Sequence, residues 1–169
     1  MRDLDALTQA LLPVAAAAGA AIMDIYDGEF AVQRKQDNSP LTLADLESQR
    51  IILEALQTLT PGLPVLAEEL SNATWEERRH WREVWVVDPL DGTREFIKRN
   101  GEFTVNIALI VDHEPVLGCI GVPARRQVYW GIRGAGAFRR DPDGSTRRIR
   151  VSAPGETVRV AGSRSHTTP

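Results

Sequence analysis

The sequence is poor in several residue types that often carry function in a small chain. Its one cysteine, Cys119, excludes a disulfide within the chain and fits a reducing cytoplasm. Its three histidines, His80, His113 and His166, lack the spacing of metal ligands. The net charge of −3 gives no basic field to attract a nucleic acid polymer or an anionic lipid surface. We therefore expect neither a disulfide scaffold nor a nucleic-acid-binding protein.

Long hydrophobic runs are also scarce. The longest, Ala10–Met23, is shorter than a membrane span, and the acidic residues Asp3 and Asp5 precede it where a signal peptide carries positive charge. Apolar side chains recur at helical spacing across this region, which predicts a helix packed against the core. Those positions are Leu4, Leu7, Leu11, Val14, Ala18, Ile22 and Ile25.

The remaining pattern predicts an α+β fold. With 169 residues, 43% of them hydrophobic, the chain can form one domain with a core. We expect long helices over 3–27 and from the N-cap Thr42 to Leu59. Short connections between the later strands favour an antiparallel meander against which the helices pack. The predicted strands are 30–34, 63–67, 84–87, 104–112, 115–122, 127–132, 136–140 and 158–161.

The most informative stretch follows the strand at 84–87. There Asp88-Pro89-Leu90-Asp91-Gly92-Thr93 places two carboxylates in a turn that leads into a predicted helix, 94–98. Mg²⁺ takes oxygen ligands, commonly one or two carboxylates together with phosphate oxygens. The start of a helix offers backbone N–H groups to a phosphate. Metal ligands and a phosphate site therefore lie side by side in the sequence.

Two further acidic positions belong with this stretch. Glu68 follows another apolar strand, so two neighbouring strands that end at one edge would bring it close to Asp88. Asp45 lies in the first turn of the second long helix, where it would also stabilise the helix dipole. Each residue has a structural explanation of its own, because strand ends and turns are often acidic. From the residues alone, a metal site and a purely structural role both remain open.

Together these segments resemble the inositol monophosphatase superfamily, whose members are Mg²⁺-dependent, Li⁺-sensitive phosphatases. The resemblance rests on the 88–93 motif, on Glu68-Glu69 and on Thr42-Leu43-Ala44-Asp45. The continuation to Asn106, with Ser-Arg-Ser-His at 163–166, is most similar to the CysQ branch, the 3′(2′),5′-bisphosphate nucleotidases. The resemblance implies a layered αβαβα fold, of which this chain would be the N-terminal half.

The resemblance also implies roles for individual residues. The Mg²⁺ ligands would be the carboxylates of Glu68, Asp88 and Asp91 together with the backbone carbonyl of Leu90. Asp45, paired with Thr93, would orient or deprotonate the attacking water, with Glu68 also among the catalytic residues. The implied substrate contacts are the amides of Gly92 and Thr93 and the side chains of Lys35, Ser165 and His166.

The implied reaction is hydrolysis of adenosine 3′,5′-bisphosphate to AMP and phosphate. The alternatives are an inositol monophosphatase, a sugar-bisphosphate phosphatase, or a fragment that only binds metal. The implied location is the cytoplasm, with association with the inner face of the membrane left open. We expect residues 1–157 to form the metal and phosphate domain, and 158–169 to begin a second α/β domain that the chain lacks. The strand-rich stretch would then expose an apolar face.

Overall fold

Helices and strands alternate in the first half of the chain, and strands dominate the second. The computed structural model describes residues 2–29, 31–34, 40–68, 73–153, 155, 157 and 160. The helices are α1 (Leu4–Tyr26), α2 (Leu43–Leu59), α3 (Trp75–Arg78) and α4 (Thr93–Ile97). The strands are β1 (Val32–Arg34), β2 (Pro40–Thr42), β3 (Val65–Ala67), β4 (Glu83–Asp91), β5 (Thr104–Val111), β6 (Glu114–Val122), β7 (Gln127–Ile132), β8 (Gly136–Arg140) and β9 (Thr146–Ile149).

The sheet follows chain order and is mainly antiparallel. Seven strands pair in the order β3-β4-β5-β6-β7-β8-β9, and β1 and β2 form a separate antiparallel pair. The pair β3–β4 is parallel, whereas each later pair in the large sheet is antiparallel. Together with the two long helices, this arrangement confirms the predicted α+β class.

Helix α1 packs in the core, as its apolar spacing predicts. Leu11, Ala18 and Ile22 are fully buried, and the helix contacts α2, β5, β6 and β7. By length and hydropathy alone this 23-residue helix could also cross a bilayer. The helix extends beyond the apolar run at both ends, so it reaches this length although the run alone is shorter than a membrane span. Burial within the domain identifies α1 as a core helix.

Helix α2 begins and ends where its local signals predict. The Thr42 hydroxyl accepts from the Ala44 N–H at 3.2 Å, and Asp45 Oδ2 accepts from the Thr42 N–H at 2.8 Å. This reciprocal capping satisfies N–H groups that a helix start leaves without partners. At the other end, the buried indole N–H of Trp85 donates to the Thr60 hydroxyl at 2.9 Å. Both ends of α2 are thus fixed by side-chain hydrogen bonds.

Some element bounds differ from the sequence predictions. The strand predicted over 84–87 extends as β4 to Asp91, and the following helix begins at Thr93 instead of Arg94. The first predicted strand is shorter, Val32–Arg34, and its partner β2 was not predicted. Apart from Val160, the strand predicted at 158–161 lies outside the described residues. A domain boundary at 157 therefore stays a prediction.

One face of the large sheet packs on the helices, and the other is open. Along β4, Trp85 and Val87 are buried on the helix side, whereas Val86 between them is 38% exposed. On β6, Ile120 is 44% exposed while its neighbour Cys119 is buried. The open face therefore carries apolar side chains, as expected for the strand-rich stretch.

Candidate metal centre

The parallel pairing of β3 and β4 brings two of the predicted acidic residues to one edge of the sheet. Ala67 lies opposite Val87, and the next backbone N–H, that of Glu68, donates to the Val87 carbonyl at 3.1 Å. Because the two strands run parallel, Glu68, which directly follows β3, lies beside Asp88, which is within β4. Their side chains share a hydrogen bond, which confirms the predicted proximity.

The carboxyl group of Asp88 has a raised pKa. Burial raises its pKa to about 7, with further contributions from the negative charges of Glu68 and Asp91 and from the hydrogen bond with Glu68. The Leu90 N–H donates to Asp88 Oδ1 at 3.2 Å, and this hydrogen bond offsets a smaller part of the rise in pKa. A nearby cation favours the ionised form of a buried carboxyl group that lies beside other negative charges. The site therefore has the electrostatic character of a cation-binding site.

The donor set fits a hard divalent cation, although the protein shell is open. Within the described ranges, no three Asp, Glu, His or Cys side chains converge on one metal position. Mg²⁺ usually binds through one or two carboxylates while water and phosphate oxygens complete its coordination. An open group of carboxylates that includes Glu68, Asp88 and Asp91 is compatible with that mode of binding.

The segment between Asp88 and Asp91 is irregular and held from two sides. Asp88 lies opposite Asn106 on β5 and Asp91 opposite Thr104, with a shift of register between them. Pro89 has no N–H to donate to the ladder, which accounts for a break in pairing there. The Ser48 hydroxyl donates to the Pro89 carbonyl at 2.7 Å, and this bond is buried.

Leu90, within this segment, and Asp91, at its end, are also held in place by their surroundings. The Leu90 side chain is 1% exposed and anchors the segment in the core. The Asn106 amide donates to Asp91 Oδ2 at 3.2 Å and orients that carboxylate. Proline and glycine in the sequence favoured a tight turn, but the segment instead continues β4 with a bulge.

Asp45 lies in a buried network at the start of α2. It is 1% exposed, and Oδ2 accepts from the Thr42 hydroxyl at 2.7 Å as well as from the Thr42 N–H. The Thr93 hydroxyl is 3.2 Å from both Asp45 Oδ1 and the Leu90 carbonyl, to either of which it can donate. Burial raises the pKa of Asp45, and the hydrogen bonds from Thr42 and Thr93 partly offset that rise. Asp45 and Thr93 are therefore in contact, as the resemblance implied.

Gly92 makes the connection between the carboxylates and α4. Its φ of 92° is left-handed, and a Cβ at this position would lie 2.8 Å from the Glu102 carbonyl oxygen. Only glycine fits both the backbone conformation and the space. Helix α4 has five residues, so its dipole is small, and any contact with a phosphate would depend on the individual amides of Gly92 and Thr93.

Three of the predicted site residues lie outside the described residues, and two residues of the site, Ser48 and Asn106, were not predicted. Lys35, Ser165 and His166 lie outside the described residues. Ser48 was missed, although it lies three positions after Asp45 and hence on the same side of α2. The role of Asn106 depends on the register of β4 with β5, which the sequence does not specify.

Comparison with known proteins assigns a family to this arrangement. The profile of the inositol monophosphatase family matches residues 3–168. A 3′(2′),5′-bisphosphate nucleotidase, CysQ of Salmonella typhimurium, is 56% identical over 119 residues, which are 69% of this chain and 48% of the relative. The protein of the same name from Buchnera aphidicola is 40% identical over 155 residues, 90% of this chain and 57% of the relative. The chain thus spans about half the length of the curated relatives it matches.

Solved structures agree on the fold. CysQ from Bacteroides thetaiotaomicron, described as a bacterial member of the inositol monophosphatase family, superposes with a TM-score of 0.80 at 36% identity, covering 97% of this chain and 65% of that one. The extragenic suppressor protein SuhB from Bartonella henselae gives a TM-score of 0.76 at 30% identity, covering 88% and 55%. The predicted layered architecture therefore matches the fold of these proteins.

Proposed function

Because this chain belongs to the inositol monophosphatase family, we propose that it forms the metal- and phosphate-binding part of a phosphatase. The proposed reaction is Mg²⁺-dependent hydrolysis of the 3′-phosphate of adenosine 3′,5′-bisphosphate, giving AMP and phosphate. The observation that carries the proposal is the contact of Glu68 with Asp88, whose carboxylate is also affected by the charge of Asp91. The similarity to relatives named 3′(2′),5′-bisphosphate nucleotidase supports the choice of substrate.

The proposed metal ligands are Glu68, Asp88 and Asp91, with the backbone carbonyl of Leu90. When bound, Mg²⁺ would neutralise phosphate charge, activate a water and stabilise the leaving oxygen. The chain's own contribution is to hold these oxygens in place through the Ser48–Pro89 and Asn106–Asp91 hydrogen bonds. No protein nucleophile is required for this reaction class.

Asp45 is the proposed acceptor for the proton of the attacking water. Burial raises its pKa, so its carboxylate is a stronger base than an exposed aspartate. Thr93 contacts it at 3.2 Å and would orient the same water through its hydroxyl. The proposed phosphate contacts are the amides of Gly92 and Thr93, and Lys35, Ser165 and His166 remain proposed substrate contacts by resemblance.

We propose a cytoplasmic location, and the comparisons lend no support to association with a membrane face. The chain covers 48% of the length of the relative from Salmonella typhimurium. That this length of chain catalyses the reaction is part of what we propose. A fragment that binds Mg²⁺ without catalysis is the alternative that this coverage favours. Calorimetry with Mg²⁺, alongside an assay of phosphate release, separates the two possibilities.

The assay compares adenosine 3′,5′-bisphosphate with an inositol monophosphate and a sugar bisphosphate, each with Mg²⁺, with added Li⁺ and with a chelator. We expect preferential release of phosphate from the nucleotide, lost with the chelator and reduced by Li⁺. Asp88→Asn should abolish the release. Asp112→Asn, at the far end of β5 where Asp112 pairs with Arg82, is the matched control and should leave it unchanged. A preference for the inositol or sugar ester would contradict the proposed substrate, and activity retained by Asp88→Asn would contradict the ligand assignment.

A further inference from the structure

An arginine lies in the same cleft as the acidic residues of the candidate centre. The cleft has a volume of about 460 Å³, and its lining includes Glu68, Ala73, Val86, Asp88 and Arg78, the last residue of α3. Gly92 and Thr93 are not among the described residues that line it. Arg78 therefore borders the Asp88 side of the site from a different direction than the amides at the start of α4.

Among the described residues Arg78 has no side-chain partner, in contrast to the arginines around it. Arg79 pairs with Glu76 at 3.1 Å, and Arg82 pairs with Asp112 at 2.9 Å. Within the described part of the chain, the Arg78 side chain makes no hydrogen bond or ion pair. No residue of α3 is buried, so packing does not fix this side chain either.

Arg78 also does not offset the negative charge around Asp88. The charges that shift the pKa of Asp88 are those of Glu68 and Asp91, and no cationic side chain of the described residues acts in the opposite direction. A guanidinium that shares a cleft with acidic groups without pairing with them is available to an anion that enters with the ligand. Arginine binds phosphate through two parallel N–H donors, which gives both affinity and orientation.

We propose that Arg78 binds the phosphate of the substrate that is not hydrolysed, and so selects bisphosphorylated over monophosphorylated esters. This inference rests on the proposed function, which assigns the scissile phosphate to the carboxylate-bound metal and to the amides of Gly92 and Thr93. The second phosphate of the same substrate then lies toward α3. Arg78 is thus a specificity-determining residue whose role is in binding.

The test uses Arg78→Gln and compares adenosine 3′,5′-bisphosphate with adenosine 3′-monophosphate, which keeps the scissile group and lacks the second phosphate. We expect KM for the bisphosphate to rise about tenfold with little change in kcat, and the kinetics for the monophosphate to stay as they were. Arg78→Lys should recover part of the loss because it restores the charge. Arg79→Gln, which removes the adjacent arginine outside the cleft, is the matched control and should leave KM and kcat unchanged for both substrates.

Equal losses on both substrates would overturn the inference, because they would indicate a general or structural role. Unchanged kinetics with both substrates would also overturn it. If the unsubstituted protein hydrolyses neither nucleotide, the proposed function fails, and calorimetric binding of the two nucleotides with Mg²⁺ present tests Arg78 separately. Arg78→Gln must then weaken binding of the bisphosphate alone. Equal weakening, no weakening, or no binding to the unsubstituted protein overturns the inference.

Discussion

The hydroxyl of Ser48 donates a buried 2.7 Å hydrogen bond to the carbonyl oxygen of Pro89. This bond joins α2 to the irregular part of β4, between the carboxylates of Asp88 and Asp91. Proline interrupts the ladder in this segment, so a side chain from the helix layer supplies a contact in place of the regular pairing. The position of the acidic residues thus depends on the packing of helix against sheet.

Replacing Ser48 by alanine should therefore destabilise the fold. The buried Pro89 carbonyl would lose its partner, which costs about 1–3 kcal/mol of the free energy of unfolding. Urea denaturation followed by circular dichroism measures this. Thr58→Ala is the control, because Thr58 makes an exposed bond to the Glu54 carbonyl on the same helix and its loss should cost under about 0.5 kcal/mol. Equal effects of the two substitutions would contradict the assigned role of Ser48.

Gly92→Ala should be more harmful than the same change at another left-handed glycine. At Gly92 the new Cβ would meet the Glu102 carbonyl oxygen at 2.8 Å in addition to the backbone strain, whereas at Gly62, φ 78°, nothing lies within 4 Å. We expect Gly62→Ala to lower the free energy of unfolding by about 1 kcal/mol, and Gly92→Ala by at least about 2 kcal/mol. Parallel urea titrations provide the comparison. Losses of the same size would show that the close approach to Glu102 relaxes without cost.

Asp88→Asn should stabilise the metal-free protein at neutral and alkaline pH. The pKa of Asp88 is raised from 3.8 to about 7 in the fold, so its contribution to stability is full below pH 3.8 and is lost as the pH rises through 7. Asparagine does not ionise and avoids that loss. With a chelator present, the gain in unfolding free energy should be near zero at pH 4 and on the order of 1–2 kcal/mol at pH 8, after allowance for solvent screening.

Thermal unfolding across this pH range measures the gain, and Asp112→Asn serves again as the exposed control. A gain from Asp88→Asn that does not grow with pH would contradict the electrostatic origin. Added Mg²⁺ should reverse the order of stability above pH 7, because the ion stabilises only the ionised carboxylate.

The contact between Asp45 and Thr93 predicts coupled catalytic effects if the proposed function holds. Asp45→Asn and Thr93→Val should each lower kcat about 100-fold or more with little change in KM, since both act on the attacking water. The double variant should lose little beyond the larger single effect, because the two side chains share one role. Thr93→Ser keeps the hydroxyl and should retain most activity. Additive losses in steady-state assays would indicate independent roles.

Local signals were sufficient to predict α2 and the meander. Thr42 caps the helix through its own side chain, and the period-two alternation from Thr104 onward sets strand bounds without knowledge of partners. The full length of β4 could not be predicted, because Pro89 and Gly92 are turn-forming residues whose context is set by β5. Pairing with that neighbouring strand outweighs the local preference at Pro89.

In the candidate site, too, one feature could be predicted from the sequence and others could not. The sequence could indicate the proximity of Glu68 and Asp88, because each directly follows an apolar strand-like run and the two runs pair in parallel. The Ser48–Pro89 and Asn106–Asp91 bonds depend on the docking of α2 and on the register of β5. Both are properties of the assembled sheet and helices, and no pattern in the chain encodes them separately.

Strand β3 is three residues long and lies at the margin of the large sheet, where β4 is its one neighbour among the described residues. Glu68 therefore depends on the shortest strand of that sheet, one at its margin, whereas Asp88 and Asp91 belong to an interior strand. Opening of this margin would remove one carboxylate and leave the other two in place. Occupancy of the centre by a cation should accordingly slow amide hydrogen exchange at Leu66 and Ala67 more than anywhere along β5.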